Sequence, residues 1–522
     1  MIFRSPYPDV DIPRTSLSEF VLERAEELGD KPALIDGPTG RTITYAELRA
    51  GVLRLASGLA ARGFEKGDVF AIFSPNLPEY AVAFHGVATA GGVCTTINPL
   101  YRIEELTFQL EHAKARYLLT IPQFLDRALE AANNTDVEEV FVLGEAEGAT
   151  PFAQLLASDS PPPKIDIDPE NDLLALPYSS GTTGFPKGVM LTHHNIVANI
   201  CQTMVPHSTD QDDVAIGVLP FFHIYGMTVI MNVAMRLGAT VVTMPRFDLE
   251  EFLQLLQDHK VTRAYLVPPI ILALAKHPIV DKYDLSDLEV IMSGAAPLGA
   301  DLAAAAASRL GKTLVIQGYG LTETSPVTHM VPDEADKDRP GSIGHLIPNT
   351  SAKFVDPASG QEVGVGETGE LWIQGPQVMK GYLNDPESTA RTVDEEAWLH
   401  TGDIGRADAD GYFFLVDRLK ELIKYKGFQV PPAELEAVLL THPSIADAAV
   451  IPVPDEEAGE IPKAYVVLKE KVDEDEIVGY VAERVAPYKK IRRVEVIEEI
   501  PKSASGKILR RVLVEKERAA QG

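Results

Sequence analysis

Short apolar runs alternate with amphipathic segments over about the first 350 residues of the chain. Thr44 and Glu47 form a capping box, which predicts the start of a helix. The apolar face of this helix carries Leu48, Val52, Leu55 and Leu59. A buried strand is predicted next, and β-branched runs of strand length recur further along. These predicted strands lie at 69–73, 239–244, 263–267, 289–292 and 314–317. Such alternation predicts an α/β fold with largely parallel sheets and flanking helices.

The pattern changes after about residue 350. Segments 369–375 and 411–415 are typical of antiparallel strands joined by tight turns. From residue 433 the predicted order is helix, strand, strand, helix, strand, with strands at 448–452, 464–468 and 494–497. This order predicts a separate α+β unit of roughly 100 residues. We expect the join between the two parts at 417–420.

Composition and charge restrict the class of protein. Of the 522 residues, 45% are hydrophobic and 24% are charged, a globular balance that excludes disorder and fibres. Lys and Arg number 47 against 76 Asp and Glu, so the net charge is −29, which disfavours nucleic acid as a partner. With two cysteines, no signal-peptide stretch and no peroxisomal ending, we expect a cytoplasmic protein. The most apolar long run, 218–235, contains Pro220, His223 and Asn232, so we expect a core segment and no integral membrane association.

One segment, 178–188, combines hydroxyls, glycines and a lysine between two apolar runs. Exposed backbone N–H groups, hydroxyl donors and a positive charge together suit a phosphate. The segment therefore predicts a phosphate-binding loop, with a plain flexible loop as the alternative. Its candidate phosphate ligands are Ser179, Ser180, Gly181, Thr182, Thr183, Gly184 and Lys187.

Several known nucleotide motifs do not fit. Pro186 precedes Lys187 where a Walker A loop requires glycine, which disfavours a P-loop NTPase. Glu323 follows Gly318-Tyr319-Gly320 where a dinucleotide fingerprint requires glycine, which disfavours a Rossmann dehydrogenase. The sequence contains no His-Glu-x-x-His helix, no paired Cys-x-x-Cys and no Gly-x-Ser-x-Gly elbow.

Other residues suggest a nucleotide site of a different design. Glycine-containing turns at 294–297 and 317–320 follow two predicted strands, where the backbone can approach a flat ring closely. Glu323 is a candidate for Mg²⁺ beside phosphates, and Asp403 can accept hydrogen bonds from two ribose hydroxyls with help from Arg418. Two plain turns and solvated surface charges are the alternative interpretations.

Taken together, these segments resemble the adenylate-forming superfamily of acyl-CoA synthetases, luciferases and adenylation domains. The segments follow the family's order and spacing at 178–195, 220–227, 317–326, 398–403, 417–436 and 501–511. Within the superfamily the chain most resembles 4-coumarate–CoA ligases and their bacterial relatives. That similarity rests on 222–225, 423–430 and 503–508.

The resemblance implies an architecture of two domains. Residues 1–416 would form a large α/β domain of mixed, mostly parallel sheets with flanking helices plus a β-barrel-like part. Residues 421–522 would form a small mobile α+β lid, and 417–420 a hinge centred on Lys420. Such a lid would present two of its faces to the same site in turn.

The resemblance also assigns site residues. Residues 179–187 with Thr322 would hold the ATP phosphates, Glu323 would hold Mg²⁺, and Asp403 with Arg418 would bind the ribose. Lys507 would be the adenylation lysine, with His223, Lys424 and Gln429 in the reaction centre. Lys426 and Gly427 would be further cofactor contacts. The adenine pocket would consist of Gly294, Ala295, Ala296, Pro297, Gln317, Gly318, Tyr319 and Gly320. The acyl pocket would consist of Phe222, Tyr225, Thr228, Gly294, Gly318, Pro326 and Val327.

The implied activity is ATP-dependent ligation of a carboxylic acid to CoA through an acyl-adenylate, with Mg²⁺ as cofactor. A cinnamate- or 4-coumarate-type acid is the leading expectation. Met292 stands where plant hydroxycinnamate ligases usually carry lysine, so we expect cinnamate to be used at least as well as 4-coumarate. A medium- or long-chain fatty acyl-CoA synthetase, a luciferase-like oxidase and a carrier-loading adenylation domain are the alternatives. We expect small-molecule partners only, and a monomer or homodimer.

Overall fold

A computed structural model describes residues 1–158, 160–179, 186–332, 339–426, 428–455, 457–503 and 506–521. Strands and helices alternate through most of the chain. The strands are β1 (Ile2–Arg4), β2 (Pro32–Asp36), β3 (Thr42–Thr44), β4 (Val69–Phe73), β5 (Val93–Thr96), β6 (Ala115–Thr120), β7 (Glu139–Val142), β8 (Thr150–Pro151), β9 (Leu173–Ser179), β10 (Lys187–Thr192), β11 (Val214–Gly217), β12 (Thr240–Thr243), β13 (Arg263–Leu266), β14 (Val290–Ser293), β15 (Leu314–Gly320), β16 (Val327–Met330), β17 (His345–Leu346), β18 (Ser351–Val355), β19 (Glu362–Val363), β20 (Gly369–Gln374), β21 (Gly381–Tyr382), β22 (Leu399–Ala407), β23 (Phe413–Arg418), β24 (Ile423–Tyr425), β25 (Phe428–Val430), β26 (Ile445–Asp455), β27 (Gly459–Leu468) and β28 (Arg493–Val496).

The helices cover the faces and edges of these strands. The α-helices are α1 (Leu17–Val21), α2 (Ala25–Leu28), α3 (Tyr45–Ala61), α4 (Pro78–Thr89), α5 (Ile103–Ala113), α6 (Leu125–Ala132), α7 (His193–Thr203), α8 (Ala234–Leu237), α9 (Leu249–Asp258), α10 (Pro268–Lys276), α11 (Ala300–Leu310), α12 (Pro386–Thr392), α13 (Pro432–Leu440), α14 (Glu474–Ala482) and α15 (Arg510–Gln521). Short 3₁₀ turns occur at Pro122–Phe124, Phe152–Ala157, Pro278–Lys282, Thr322–Thr324 and Pro487–Lys489, and a π-helix at Tyr225–Val233.

Two large sheets account for most of the strands. In the described residues, one has the order β21-β10-β9-β5-β4-β6-β7-β8 and the other β17-β16-β15-β14-β13-β11-β12-β2-β3. Their central strands pair in parallel, as β4 does with β5 and β6, and as β14 does with β13 and β15. Antiparallel pairs lie at the sheet edges. The predicted α/β class with largely parallel sheets is therefore confirmed.

Helix α3 shows how local rules determine these elements. The Thr44 hydroxyl accepts from the Glu47 N–H at 3.2 Å, and the Glu47 carboxylate accepts from the Thr44 N–H at 2.9 Å, so the predicted capping box is present. The predicted apolar face is buried, and it joins a core that includes residues of both large sheets. Burial of each such leucine contributes about 1.5–3 kcal/mol of transfer free energy.

A third sheet is antiparallel throughout and follows the order β1-β18-β20-β22-β23, with β19 paired to β18. The rings of Phe3 in β1 and Phe413 in β23 lie 5.5 Å apart, so the two end strands approach each other around a shared apolar interior. This sheet is the expected barrel-like part. Its last strand, β23, ends at Arg418 and leads into the C-terminal part.

The C-terminal part has its own sheet, in the order β25-β24-β27-β26 with β28 parallel to β27. Two apolar clusters lie within residues 423–514. The two predicted helices and the three predicted strands are present, but β26 and β27 are longer than the predicted 448–452 and 464–468. The β24–β25 hairpin and helix α15 are further elements of this part.

The apolar run 218–235 contains the π-helix Tyr225–Val233, all of whose residues are buried. It belongs to the core, as expected from its interruptions. Within the described ranges, every helix is too short or too polar to cross a membrane.

Candidate active site

Two neighbouring parallel strands bring the predicted adenine turns together. Ser293 at the end of β14 pairs with Gln317 in β15, so the turns that follow both strands lie at one sheet edge. The Gln317 amide Nε2 donates to the Ser342 carbonyl at 2.8 Å, and its Oε1 accepts from the Leu298 N–H at 3.3 Å. These bonds join the 294–298 turn to β15. The two turns therefore lie side by side at this sheet edge, which we call the candidate cleft.

Gly320 fixes the direction of the chain after β15. A Cβ at this position would lie 1.9 Å from the Pro326 carbonyl oxygen, so only glycine fits. The Leu321 N–H donates to the same oxygen at 3.1 Å, which closes a tight loop around the Thr322–Thr324 turn. Thr322 and Glu323 therefore stand at the mouth of the cleft.

Tyr319, Asp403 and Arg418 form a polar group on one side of this cleft. The Tyr319 hydroxyl donates to Oδ2 of Asp403 at 2.5 Å, and Nε of Arg418 lies 3.0 Å from Oδ1. Asp403 and Arg418 are directly opposite each other in the β22–β23 ladder. The nearby Asp403 charge raises the pKa of Arg418. A buried carboxylate held in this way suits two vicinal hydroxyls, as predicted for ribose.

Glu323 and Lys187 meet around one aromatic ring. The Tyr382 hydroxyl donates to Oε1 of Glu323 at 2.8 Å, and Nζ of Lys187 lies 4.9 Å from the centre of the Tyr382 ring. Lys187 also lies 3.2 Å from Oδ2 of Asp385 and donates to the Ser388 hydroxyl. Because β10 pairs with β9, Ser179 lies opposite Lys187.

The loop between these two residues contains the predicted phosphate ligands Ser180, Gly181, Thr182, Thr183 and Gly184, which lie outside the described residues. The described part of the chain contains no group of three or more His, Cys, Asp or Glu that could hold a metal ion by itself. A single carboxylate such as Glu323 nevertheless fits Mg²⁺, since this ion commonly takes one or two carboxylates together with substrate phosphates.

The predicted acyl pocket is built around the start of the π-helix. The Tyr225 hydroxyl donates to the Met292 carbonyl at 3.0 Å, and a Cβ on Gly294 would lie 2.6 Å from Tyr225 Cε1. Tyr225 therefore stands directly against the Gly294 backbone. Thr228 on the same helix is buried, and its Oγ1 has no hydrogen-bond partner among the described residues. The remaining predicted acyl contacts, Pro326 and Val327, are buried and Gly318 is half-buried.

Phe222 and His223 lie immediately before this helix. The Thr96 hydroxyl donates to the Phe222 carbonyl at 2.8 Å, which fixes the loop. The Tyr225 N–H donates to Nδ1 of His223 at 3.3 Å. Burial, together with the charge of Lys507, lowers the pKa of His223 to about 4. His223 is therefore neutral at physiological pH and close to the C-terminal lysine.

Lys507 reaches the cleft on a short loop. The Ser503 N–H donates to the Lys507 carbonyl at 2.8 Å, and the Lys507 N–H donates to the Ser503 hydroxyl at 3.1 Å. A Cβ on Gly506 would lie 3.2 Å from Val267 of the N-terminal part, so the loop packs against that part. Burial and then the Arg418 charge lower the pKa of Lys507 to about 8, whereas Asp403 opposes this shift. The lysine predicted from the far end of the chain thus lies beside the predicted ribose site.

The other residues predicted in the C-terminal part do not lie beside Lys507 and the Asp403–Arg418 pair. Lys424 is exposed, and its backbone N–H donates to Glu460 at 2.7 Å. Gln429 lies opposite Lys424 in the β24–β25 hairpin. Lys426 is exposed and forms an ion pair with Glu457 at 2.5 Å. The Gln429 side chain and Gly427 lie outside the described part, and Lys420 is exposed in the turn after β23.

Three residues of the cleft were not predicted from the sequence: Tyr382, Asp385 and Ser388. The only signal at this position is an Asp-Pro pair, which marks a helix start at α12 and nothing about chemistry.

Comparison with known proteins identifies the family of the chain. The family model described as "AMP-binding enzyme" matches residues 21–383, and the "AMP-binding enzyme C-terminal domain" matches residues 434–507. The chain is 44% identical to 4-coumarate--CoA ligase 1 of Solanum tuberosum, covering 98% of this chain and 96% of the relative. It is 45% identical to 4-coumarate--CoA ligase 3 of Oryza sativa subsp. japonica, covering 98% and 94%.

Solved structures show the same architecture over nearly the whole chain. The anthranilate CoA ligase AuaEII, solved in complex with anthranoyl-AMP, has a TM-score of 0.90 and 26% identity, covering 98% of this chain and 99% of its own. The ATP-bound MatB from Rhodopseudomonas palustris has a TM-score of 0.86 and 30% identity, covering 96% and 99%. The chain belongs to the AMP-binding enzyme family, the adenylate-forming superfamily.

Proposed function

We propose that this acid–thiol ligase converts a cinnamate- or 4-coumarate-type acid into its acyl-CoA through an acyl-adenylate, releasing pyrophosphate and AMP. The class of reaction follows from the family and from relatives that cover almost the full chain. The single observation that best supports the site assignment is Lys507, whose charge acts on both His223 and the Asp403–Arg418 pair.

In the first half-reaction a carboxylate oxygen of the acid attacks the α-phosphorus of ATP, and pyrophosphate leaves with the bonding electrons. Negative charge builds on the α-phosphate oxygens in the transition state. Lys507 is proposed to stabilise that charge, because its side chain is half-buried and lies near the Asp403 carboxylate, the group proposed to bind the ribose. Loss of one preorganised group of this kind commonly costs about 10²–10³ in rate.

The nucleotide would lie across the cleft from the sheet edge to Lys187. Adenine is proposed to stack between the 294–297 and 317–320 turns, with its ribose on Asp403 and Arg418. Lys187, Thr322 and the 179–187 loop would hold the phosphates. Glu323 would hold Mg²⁺ beside them, and that ion would neutralise phosphate charge.

In the second half-reaction the CoA sulfur attacks the acyl carbon, the thiol proton is lost, and AMP leaves with the electrons of the broken bond. Lys424 and Gln429 are proposed to serve this step. In the present arrangement Lys507 is half-buried and Lys424 is exposed. A rotation of residues 421–522 about Lys420 is proposed to exchange the two lysines.

The acyl pocket supports an aromatic acid of limited polarity. Tyr225 donates its hydroxyl to the Met292 carbonyl, so that donor is already occupied. The Met292 side chain offers a thioether, which is only a weak acceptor, where plant ligases carry an ammonium group. Cinnamate is therefore proposed as a substrate at least as good as 4-coumarate.

Pyrophosphate release with a panel of carboxylic acids, with and without CoA, tests the proposal. We expect cinnamate and 4-coumarate to exceed octanoate and palmitate in kcat/KM, and acyl-CoA to form without O₂ and without light emission. A preference for 4-coumarate over cinnamate above about tenfold contradicts the pocket argument, since one hydrogen bond contributes about 0.5–1.5 kcal/mol. A preference for fatty acids contradicts the aromatic assignment. Fractionation of the native cell tests the proposed cytoplasmic location.

A further inference from the structure

The Lys187 ammonium group is held by one short segment, residues 381–391. Nζ donates to the Ser388 hydroxyl, lies 3.2 Å from Oδ2 of Asp385 and stands over the Tyr382 ring. The three contacts come from Tyr382 in β21, from Asp385 at the N-cap of α12 and from Ser388 in α12. This segment is about 200 residues from Lys187 in the sequence. Pairing of Val189 with Tyr382 brings this segment to Lys187.

The Asp385 carboxylate is itself fixed. Its Oδ1 accepts from the Ser388 N–H at 2.9 Å and caps helix α12, which leaves Oδ2 facing Lys187. The Tyr382 N–H donates to the Thr389 hydroxyl at 2.9 Å, so strand β21 is joined to the same helix. Hydrogen bonds from Ser388, followed by Lys187, lower the pKa of Asp385 to about 2. The group facing Lys187 is therefore a preorganised anion.

The ammonium group of a lysine has three donors. Among the described residues, Ser388 and Asp385 take two of them on the side of helix α12, which leaves the third for a ligand. The Tyr382 ring under Nζ carries the hydroxyl that binds Glu323, so Lys187 is held next to the carboxylate proposed for Mg²⁺. A long, flexible lysine thereby loses its conformational freedom before the nucleotide arrives.

We propose that Asp385 is a positioning residue for ATP: it holds the Lys187 ammonium in the orientation that receives the nucleotide phosphates. This inference rests on the proposed role of Lys187. Asp385 acts through Lys187 and is not assigned a contact with ATP.

The test compares D385N with a matched control. Asparagine caps a helix as well as aspartate does, so D385N removes the charge and keeps α12 intact. The control is D248N, because Asp248 caps α9 by accepting from the Glu250 and Glu251 N–H groups at 3.0 Å each. We expect D385N to raise the KM for ATP about fivefold, as for a partly exposed ion pair, with the KM for the acid unchanged. D248N should leave both values as in the wild type.

A double-mutant cycle with K187A separates positioning from a general structural effect. We expect K187A to raise the KM for ATP, and D385N to add less than about twofold in the K187A background. If D385N folds poorly, S388A takes its place as the test. S388A removes a second acceptor of Lys187 and leaves the helix cap in place, and it should raise the KM for ATP as well. An unchanged KM for ATP in both D385N and S388A overturns the proposal, as does a D385N effect of equal size without Lys187.

Three further outcomes separate the role of Asp385 from that of Lys187. A fall in the KM for ATP in D385N also overturns the proposal, because it means that Asp385 competes with the phosphates for Lys187. If K187A itself leaves the KM for ATP unchanged, the proposed role of Lys187 is wrong and the positioning role is wrong with it. A normal K187A effect without an effect of D385N or of S388A contradicts the positioning role alone.

Discussion

The C-terminal part carries two lysine loops that differ sharply in their surroundings. The loop of Lys507 packs against Val267 of the N-terminal part, and its lysine is half-buried near His223. The hairpin of Lys424 is exposed, and its backbone binds Glu460 within the same C-terminal part. Both loops belong to one folded unit with apolar clusters of its own. The proposed rotation of this unit would present one lysine at a time, which suits a reaction with two chemically different steps.

The difference also separates two kinds of lysine chemistry. A desolvated ammonium interacts strongly with a developing charge, whereas the interactions of an exposed one are largely screened beyond about 8 Å at physiological salt. If Lys507 serves the first half-reaction as proposed, the arrangement described here is the one for adenylate formation. The proposed thioester step would then require that the hairpin of Lys424 become the buried one.

Lys507→Ala gives the largest expected effect. Adenylate formation, measured as pyrophosphate release, should fall about 10²–10³-fold because a preorganised charge is lost. Thioester formation from added acyl-adenylate should remain within about threefold, since the Lys507 loop is expected to have left the cleft in that step. Exposed Lys471 of the same part provides the control as Lys471→Ala. Equal losses in both half-reactions would show that Lys507 does not act in adenylate formation alone.

Lys420→Pro tests the exchange itself. Proline fixes φ near −65°, so the turn after β23 loses the freedom that rotation needs. We expect adenylate formation to stay within about threefold of the wild type and acyl-CoA formation from acyl-adenylate to fall about 10²-fold. Single-turnover measurements of each half-reaction distinguish these results. An unimpaired thioester step would place the hinge elsewhere.

Lys424→Ala should reverse the pattern of Lys507→Ala with a smaller effect. We expect a loss of about tenfold in the thioester step, since an orienting contact commonly contributes less than a charge on the reacting atoms. Pyrophosphate release should not change, because Lys424 is exposed in the present arrangement. A larger loss in adenylation than in thioester formation would contradict the comparison.

The pH dependence of adenylate formation tests the contrast between the half-buried Lys507 and the exposed Lys424 without any substitution, and we expect the smallest effect here. Burial lowers the pKa of Lys507 to about 8, so the free enzyme loses this positive charge as the pH rises through that value. We expect kcat/KM for pyrophosphate release to be halved near pH 8 and to reach about a tenth at pH ~9. Lys507→Arg keeps its charge in this range, so any activity it retains should not fall there. A fall that persists in Lys507→Arg would assign the profile to another group.

Much of the fold is predictable because short-range rules decide it. The capping box at Thr44 and Glu47 and the apolar spacing of α3 require no knowledge of distant contacts. Strand β26 shows the limit. The pattern ends it at Pro452, yet the strand continues to Asp455, with Pro452 opposite Pro462. Two residues without an N–H group can face each other only at a non-hydrogen-bonded position of the ladder, and a single strand cannot reveal that register.

The candidate site shows the same division. The family resemblance predicts that Lys507 and Asp403 belong to one site, although the loop geometry that brings them near each other is not a local property. Tyr382, Asp385 and Ser388 were missed because their contact with Lys187 depends on the β10–β21 pairing. Their sequence marks a helix start, and the function of such a residue is decided by what a distant strand brings beside it.

The closed turn at Gly320 determines where this enzyme can change its selectivity. Any side chain at 320 would collide with the Pro326 carbonyl, so that wall is fixed by the main chain itself. The proposed acyl pocket includes the side chains of Tyr225 and Thr228 on the π-helix. If that assignment holds, substitutions at these two positions can change the acid that is accepted, whereas position 320 tolerates glycine alone.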